Sequence, residues 1–310
     1  MIYTVTLNPS VDVFLEVENL HMNDKNHVKD EFTLPGGKAI NVSRVLAQLN
    51  IPTVATGFLG GHQGDFISQW LDKEDIITDF VDIKNPSRTN IKLLLDGGET
   101  TINSKGPSVS HEEVDELLYY LSRVREGDTI VMGGSVPPLK DQVDYDIYMR
   151  MVSLARANKA NFIADIPAEY LKTVLKEGPI LVKPNSEDLE KIFNVEIKST
   201  DDINKYGKKI IEMGAENAIV SYGKKGSMFF SKDGKSYIAE EINLDKVSNT
   251  IACRDAMIGG FIGTLVKTSD TLKAFRLAVA AATATAKVVD LPNRDEIEEF
   301  IDKVTIREFS

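Results

Sequence analysis

Thr129-Ile130-Val131-Met132-Gly133-Gly134-Ser135-Val136-Pro137-Pro138 reads as a short apolar strand that runs into a glycine loop. What flanks it decides the fold. A helix is expected over about 111–124 before it, and another over 141–157 after it. The pattern then repeats, with strands at 161–165, 179–182 and 217–221 and helices near 168–176, 186–192 and 201–213. Strands alternating with helices build βαβ units and a mostly parallel sheet. In such sheets ligands bind outside the carboxyl ends of the strands. The loop 133–138 is therefore a candidate binding loop as well as an ordinary strand-to-helix connection.

The N-terminal third departs from this rhythm. Ile2–Leu7 reads as a strand, followed by further strands at Val11–Val17 and Val28–Leu34. Gly36-Gly37 then breaks the chain. Ile40, Val42, Val45, Leu46 and Leu49 recur at helical spacing. A strand at Val54–Phe58 and a helix beginning at Gly64–Leu71 follow. Arg88–Leu95 and Thr100–Asn103 flank Asp96-Gly97-Gly98-Glu99, a hairpin signal. The segments 11–17, 28–35 and 88–103 do not fit the alternation. They are expected to pair into a small separate sheet inserted into one α/β unit spanning 1–310. An antiparallel pair is expected within Met228–Ile238, turning at Asp233-Gly234, and helices at about 255–267 and 270–288 close the chain.

Bulk properties narrow the function. The chain has 310 residues, 42% hydrophobic and 27% charged, with a net charge of −11. That charge argues against nucleic acid or an anionic membrane surface as a generic partner. It leaves open an anionic small substrate, because a local field can oppose the net charge. Cys253 is the sole cysteine, so no disulfide framework or cysteine metal site is expected, and a reducing cytoplasm is the expected compartment. The N-terminus lacks the basic and apolar regions of a signal peptide. No apolar run of about 20 residues is present to span a bilayer. His21, His27, His62 and His111 show no metal-ligand spacing.

Five further motifs carry candidate chemistry. Gly36-Gly37-Lys38-Ala39-Ile40-Asn41 lets backbone approach a ligand before a helix, with Lys38 adding charge; the same residues also read as a flexible turn with a solvated lysine. Arg88, Asn90 and Lys92 alternate onto one strand face, where an arginine fork can hold a phosphate or simply face water. Lys183-Pro184-Asn185-Ser186-Glu187-Asp188 combines a cation, an amide and carboxylates suited to phosphate and hydrated Mg²⁺; Asn185 also reads as an N-cap. Ser221-Tyr222-Gly223-Lys224-Lys225-Gly226 follows a strand and can admit a nucleotide or form a turn. Ala252-Cys253-Arg254-Asp255 opens a helix of small residues, where N–H groups can hold a phosphate and Asp255 can serve as a base. Cys253 there can be an activated thiol or a small apolar residue.

In this order the motifs resemble the ribokinase/PfkB carbohydrate kinases, nearest to the 1-phosphofructokinase and tagatose-6-phosphate kinase group. Thr6-Leu7-Asn8-Pro9-Ser10-Val11-Asp12 resembles the family's opening strand, and the resemblance extends over nearly the whole chain. It implies a ribokinase-like α/β fold with a small β lid, often used for dimer contacts. It implies transfer of the γ-phosphoryl of ATP, with Mg²⁺, to a sugar phosphate such as fructose 1-phosphate, tagatose 6-phosphate or fructose 6-phosphate. By the same resemblance Asp12, Gly36, Gly37, Lys38, Asn41, Arg88, Asn90, Asn103 and Ser135 face the sugar phosphate. Lys183, Asn185, Ser221, Gly223 and Gly226 face ATP, Asp188 faces the metal, and Asp255 matches the base.

The chain also departs from that pattern. The family's Gly-Ala-Gly-Asp is Ala252-Cys253-Arg254-Asp255 here, so side chains stand where glycine amides form an anion hole. Asp188 replaces the usual glutamate, and Asp165-Ile166-Pro167-Ala168 replaces an Asp-x-Ser-Gly-like loop. Arg254 is expected either to act as a cation on the transferring group or to leave a nucleotide- or sugar-phosphate-binding protein with little catalysis.

Overall fold

The computed structural model describes residues 1–95, 98–139, 146–222, 226–240, 242–245, 247 and 252–309. Its strands are β1 Ile2–Thr6, β2 Ser10–Glu16, β3 Asp30–Gly36, β4 Thr53–Leu59, β5 Ile77–Asp82, β6 Arg88–Leu95, β7 Gly98–Ile102, β8 Thr129–Gly133, β9 Asn161–Asp165, β10 Leu181–Val182, β11 Asn217–Ser221, β12 Ser227–Ser231, β13 Ser236–Ala239 and β14 Ile306–Glu308. Its helices are α1 Lys38–Gln48, α2 Gly61–Lys73, α3 His111–Leu121, α4 Ile147–Ala157, α5 Ala168–Leu175, α6 Ser186–Phe193, α7 Thr200–Glu212, α8 Cys253–Thr268, α9 Thr271–Lys287 and α10 Arg294–Ile301.

A ten-stranded sheet runs β14-β13-β12-β11-β10-β9-β8-β1-β4-β5. Strands from β5 through β11 pair in parallel, and β12, β13 and β14 add an antiparallel edge. The parallel strands are buried on both faces, which is why 129–133 is an unbroken buried run. One apolar cluster fills the side covered by α3 to α7, and another lies under α8, α9 and α10.

The inserted segments do form a separate sheet, ordered β3-β2-β6-β7. Its central pair β2 and β6 is parallel and sets Ser10 opposite Arg88 and Asp12 opposite Asn90. Three elements went unread in the sequence: β5, α10 and β14. The turn at Asp96-Gly97 and the start of the helix expected from 141 lie outside the described residues; α4 is described from Ile147. Among the described residues no helix is long and apolar enough to cross a membrane.

Two packing arrangements position the site. A Cβ on Gly259 would come 2.8 Å from Val45 Cγ1, and one on Gly260 would come 2.8 Å from the Leu277 carbonyl oxygen. Glycine at both positions thus lets α8 lie close against α1 and α9. The second is Arg44, buried on α1. It donates to Glu74 through Nε and Nη2 and to Asp290 through Nη1 and Nη2, at 2.6 to 3.1 Å. Removing one member of such a buried network costs about 3 kcal/mol. Arg44→Met is expected to lower the thermal midpoint by roughly 5–10 °C for a chain of this size, as read by differential scanning calorimetry. A midpoint within about 1 °C of the wild type would show the network to be energetically idle.

Candidate active site

Asp255 sits in the first turn of α8 and is 3% exposed. Asn41 Nδ2, one turn into α1, donates to Asp255 Oδ2 at 2.8 Å. The close α1–α8 packing creates this contact. Burial pushes the Asp255 carboxyl up to about 7, and nearby Asp165 adds to the rise. The Asn41 hydrogen bond, Lys38 and Lys183 pull the other way without cancelling it.

Asp165 ends β9 and is also 3% exposed. Its carboxylate pairs with Lys38 Nζ at 3.0 Å and with Arg254 Nη2 at 3.6 Å. Burial alone would raise its pKa, but Lys38, Arg254 and Lys183 outweigh burial and hold it below the usual carboxylate value. Asp165 was seen in the sequence only as a departure from a loop pattern. Its readable signal was an aspartate at the carboxyl end of a buried strand.

Lys183 follows β10, is 2% exposed, and its Nζ has no hydrogen-bond partner among the described residues. Burial, then Arg254, push its ammonium down to about 7, against the pull of Asp165 and Asp255. A buried orphan ammonium beside a raised carboxyl is a group prepared for an anion.

Asn185 and Asp188 form a capping box on α6: Asp188 N–H donates to Asn185 Oδ1 at 2.7 Å, and Asn185 N–H donates to Asp188 Oδ2 at 3.0 Å. Asn185 also bridges in parallel to Ser221 at the end of β11. Lys183, Asn185 and Ser221 therefore gather at adjacent strand ends. Gly226 precedes β12 with φ 98°; Gly223 lies outside the described residues.

Asp188 Oδ2 receives a further contact from Arg254 Nη2 at 3.3 Å, and the same nitrogen donates to the Lys183 carbonyl oxygen at 3.3 Å. This arrangement does not fit a protein-held Mg²⁺, which needs several open oxygens in octahedral array. Among the described residues no group of three or more His, Cys, Asp or Glu is placed to hold a metal.

The four residues 252–255 are less strained than their departure from a glycine pattern suggested. Ala252 has φ −79° and ψ −8°, ordinary for a residue with a side chain, and Arg254 is helical. The Cys253 thiol is pushed up to about 11, chiefly by burial, so it is no activated nucleophile.

On the lid, Ser10 Oγ donates to Asp12 Oδ1 at 2.6 Å and Asn90 Nδ2 donates to the same oxygen at 2.9 Å. A Cβ at Gly36 would lie 2.6 Å from that oxygen, so the glycine keeps the carboxylate in place. Arg88 reaches Asn8 O at 3.1 Å and Ser104 O at 2.9 Å. Asn103 is exposed just past β7. Its neighbour Ser104 makes the local bonds, to Asn90 Oδ1 and Thr89 O. Ser135 Oγ lies 3.5 Å from Asn8 Nδ2. A cavity of about 950 Å³ opens here, lined by Asn8, Arg88, Ser104, Ser135, Tyr148 and Tyr170 among others. It takes in the Arg88 and Ser135 end of the site but not Asp255. Tyr148 closes one wall by donating its hydroxyl to the Gly134 carbonyl at 2.6 Å. Neither tyrosine was singled out in the sequence, where each sits within helical spacing like any core aromatic.

A buried carboxyl at Asp255, an unpaired lysine at Lys183 and the polar face of the small sheet lie at the carboxyl edge of the large sheet. The chain is 34% identical over 306 residues to the 1-phosphofructokinase of Bacillus subtilis (strain 168), covering 99% of each. It is 33% identical over 307 residues to the D-tagatose-1-phosphate kinase of Bacillus licheniformis, again covering 99% of each. The fold matches the crystal structure of Escherichia coli phosphofructokinase-2 in complex with substrates and products, with a TM-score of 0.92 at 25% identity over 98% of this chain and 99% of that one. The pattern that defines the pfkB family carbohydrate kinases matches residues 6–296. The chain therefore belongs to the pfkB family of carbohydrate kinases.

Proposed function

We propose that this kinase transfers the γ-phosphoryl of ATP to a hydroxyl of a ketohexose phosphate, with Asp255 as the general base. The observation that carries the reading is Asp255 itself: buried, held by Asn41, and raised to about 7. A carboxyl tuned to that value can accept a proton near neutral pH. ATP supplies the phosphoryl group, and Mg²⁺ enters as part of the nucleotide complex.

The chain's own residues divide the remaining work. Lys183 offers its unpaired ammonium to nucleotide phosphate. Asn185, Ser221 and Gly226 shape the same end of the site. Arg88, half-buried and lowered in pKa by burial, faces the cavity as the fork for the substrate phosphate. Asp12, Asn90 and Lys38 supply acceptors and donors for sugar hydroxyls. The first N–H groups of α8, from residues after Ala252, meet the charge that develops on the transferring group.

The names of the relatives direct the substrate choice. Fructose 1-phosphate and tagatose 1-phosphate come first, ahead of fructose 6-phosphate and tagatose 6-phosphate. ADP release measured across these four is expected to show turnover on a ketohexose 1-phosphate. Calorimetric ATP binding with no turnover on any of them would instead favour a binding protein. The lid has open edges at β3 and β7, with Met22 and Ile102 exposed nearby. This face is the one we assign to a homodimer, read by sedimentation.

The pH dependence follows from the two shifted groups. Asp255 works ionised and is raised to about 7, so activity is lost as pH falls below about 7, not below 4. Lys183 works protonated and is lowered to about 7, so kcat/KM for ATP is lost again above that value. The two interact, so the limbs belong to the pair. The expected profile is a narrow bell centred near neutrality. An acid limb below pH ~5 would remove Asp255 from the role of base.

A further inference from the structure

We propose that the Arg254 guanidinium occupies the place of a protein-bound divalent cation, so that the metal carried by ATP is the only one this enzyme recruits. The proposal rests on the kinase reading for its meaning, but not for its test.

Arg254 lies next to the base, at the start of α8, in a motif where a phosphate-facing direction was an open expectation. The structure turns its Nη2 onto Asp188 Oδ2 at 3.3 Å and toward Asp165 Oδ1 at 3.6 Å, with the Lys183 carbonyl as a third oxygen at 3.3 Å. A carboxylate at the end of β9, another in the first turn of α6 and a backbone carbonyl thus converge on one positive charge. These are oxygens of the kind that hard divalent ions select.

Charge balance supports the same conclusion. Around the base, Lys38, Lys183 and Arg254 offset Asp165, Asp188 and Asp255 one for one. A divalent ion brought between Asp165 and Asp188 would meet a guanidinium nitrogen 3.3 Å from one carboxylate and 3.6 Å from the other. Like charges that close in a partly buried site repel one another strongly. The guanidinium cannot relieve this by losing its proton. Removing the side chain has the opposite effect, since it leaves an excess carboxylate and an opening toward the nucleotide.

The test is Mn²⁺ binding to the nucleotide-free protein, followed by loss of the free-ion electron paramagnetic resonance signal. Wild type is expected to bind no Mn²⁺ up to about 1 mM, a ceiling set by ordinary weak carboxylate sites. Arg254→Ala is expected to gain one site at least tenfold tighter than any in wild type. Adding Asp188→Asn to Arg254→Ala should abolish the gain, and Arg254→Lys, which keeps the charge, should stay Mn²⁺-free. Arg254→Lys also serves if the alanine variant folds poorly, since tight Mn²⁺ binding by it would overturn the proposal. So would equal Mn²⁺ binding by wild type and Arg254→Ala, or a gain that survives Asp188→Asn.

A second arm uses turnover. At constant MgATP, wild-type rate is expected to be flat as free Mg²⁺ rises, whereas Arg254→Ala becomes activated by it. Activation of wild type by free Mg²⁺ counts against the proposal. If no hexose phosphate were turned over, the kinase reading would fail while the Mn²⁺ result still decided the role of Arg254.

Discussion

Asp255→Asn is expected to lower kcat by about 10²–10⁴-fold, the usual contribution of a positioned general base. Binding should survive, because the Asn side-chain oxygen can still accept from Asn41 Nδ2. The same substitution is expected to make the protein more stable at pH 8. Asp255 has its pKa raised from 3.8 to about 7 in the fold. A carboxyl raised in this way stabilises the native state while protonated, below its unfolded pKa. That contribution is lost as pH climbs from about 4 to about 7. At pH 8 the wild type carries the full cost of a buried carboxylate, on the order of 2–4 kcal/mol, and the asparagine variant carries none. The gain should shrink toward pH 5. Denaturant melts at both pH values check the sign, and rate measurements check the loss. A kcat within tenfold of wild type would move the base elsewhere, and a variant less stable at pH 8 would contradict the strain assigned to the site.

The second large effect is expected at Lys38. Its ammonium is the nearest cation to Asp165, and Asp165 is almost fully enclosed. Lys38→Met leaves that carboxylate to Arg254 and Lys183 alone. Breaking one side of a buried pair costs about 3–5 kcal/mol. The Lys38 side chain is 38% exposed, so the expected cost is lower, about 2–3 kcal/mol after solvent screening. KM for the sugar phosphate is expected to rise by about 10²-fold, the worth of a charge-assisted contact of about 3 kcal/mol. Adding Asp165→Asn to Lys38→Met should recover most of the stability and none of the KM. If the double variant stays as unstable as Lys38→Met, Lys38 acts on the fold by some route other than Asp165.

The parallel core was legible because its strands are short apolar runs between helical segments. β8 and β9 need no partner to be seen as strands. β5 was not seen, because Ile77 is 57% exposed and aspartates interrupt the run; its identity comes from pairing with β4 at the sheet edge. β14 is three residues long and exists only through β13. α10 carries a readable start, Asn293 with Glu296 three residues on, which form a capping box. Of the site, Asp255, Lys38, Asn41 and Lys183 were legible from residue type at strand ends and helix starts. The role of Asp165 was not, because the groups that define it arrive from α1 and α8. Nor could spacing tell which way Arg254 points, since a flexible side chain chooses its partners only once α8 is packed against α1 and α9 and its start faces Asp165 and Asp188.

Gly37 joins β3 to α1 with no intervening loop, at φ 138°, and a Cβ there would come 2.7 Å from Thr6 Cγ2. One side of this pivot is lid and the other carries Lys38 and Asn41. The small sheet and the Asn41–Asp255 hydrogen bond are thus joined through a single residue. Under the function proposed above, the sugar contacts at Asp12 and Asn90 and the proton acceptor Asp255 would be tied together through this one residue.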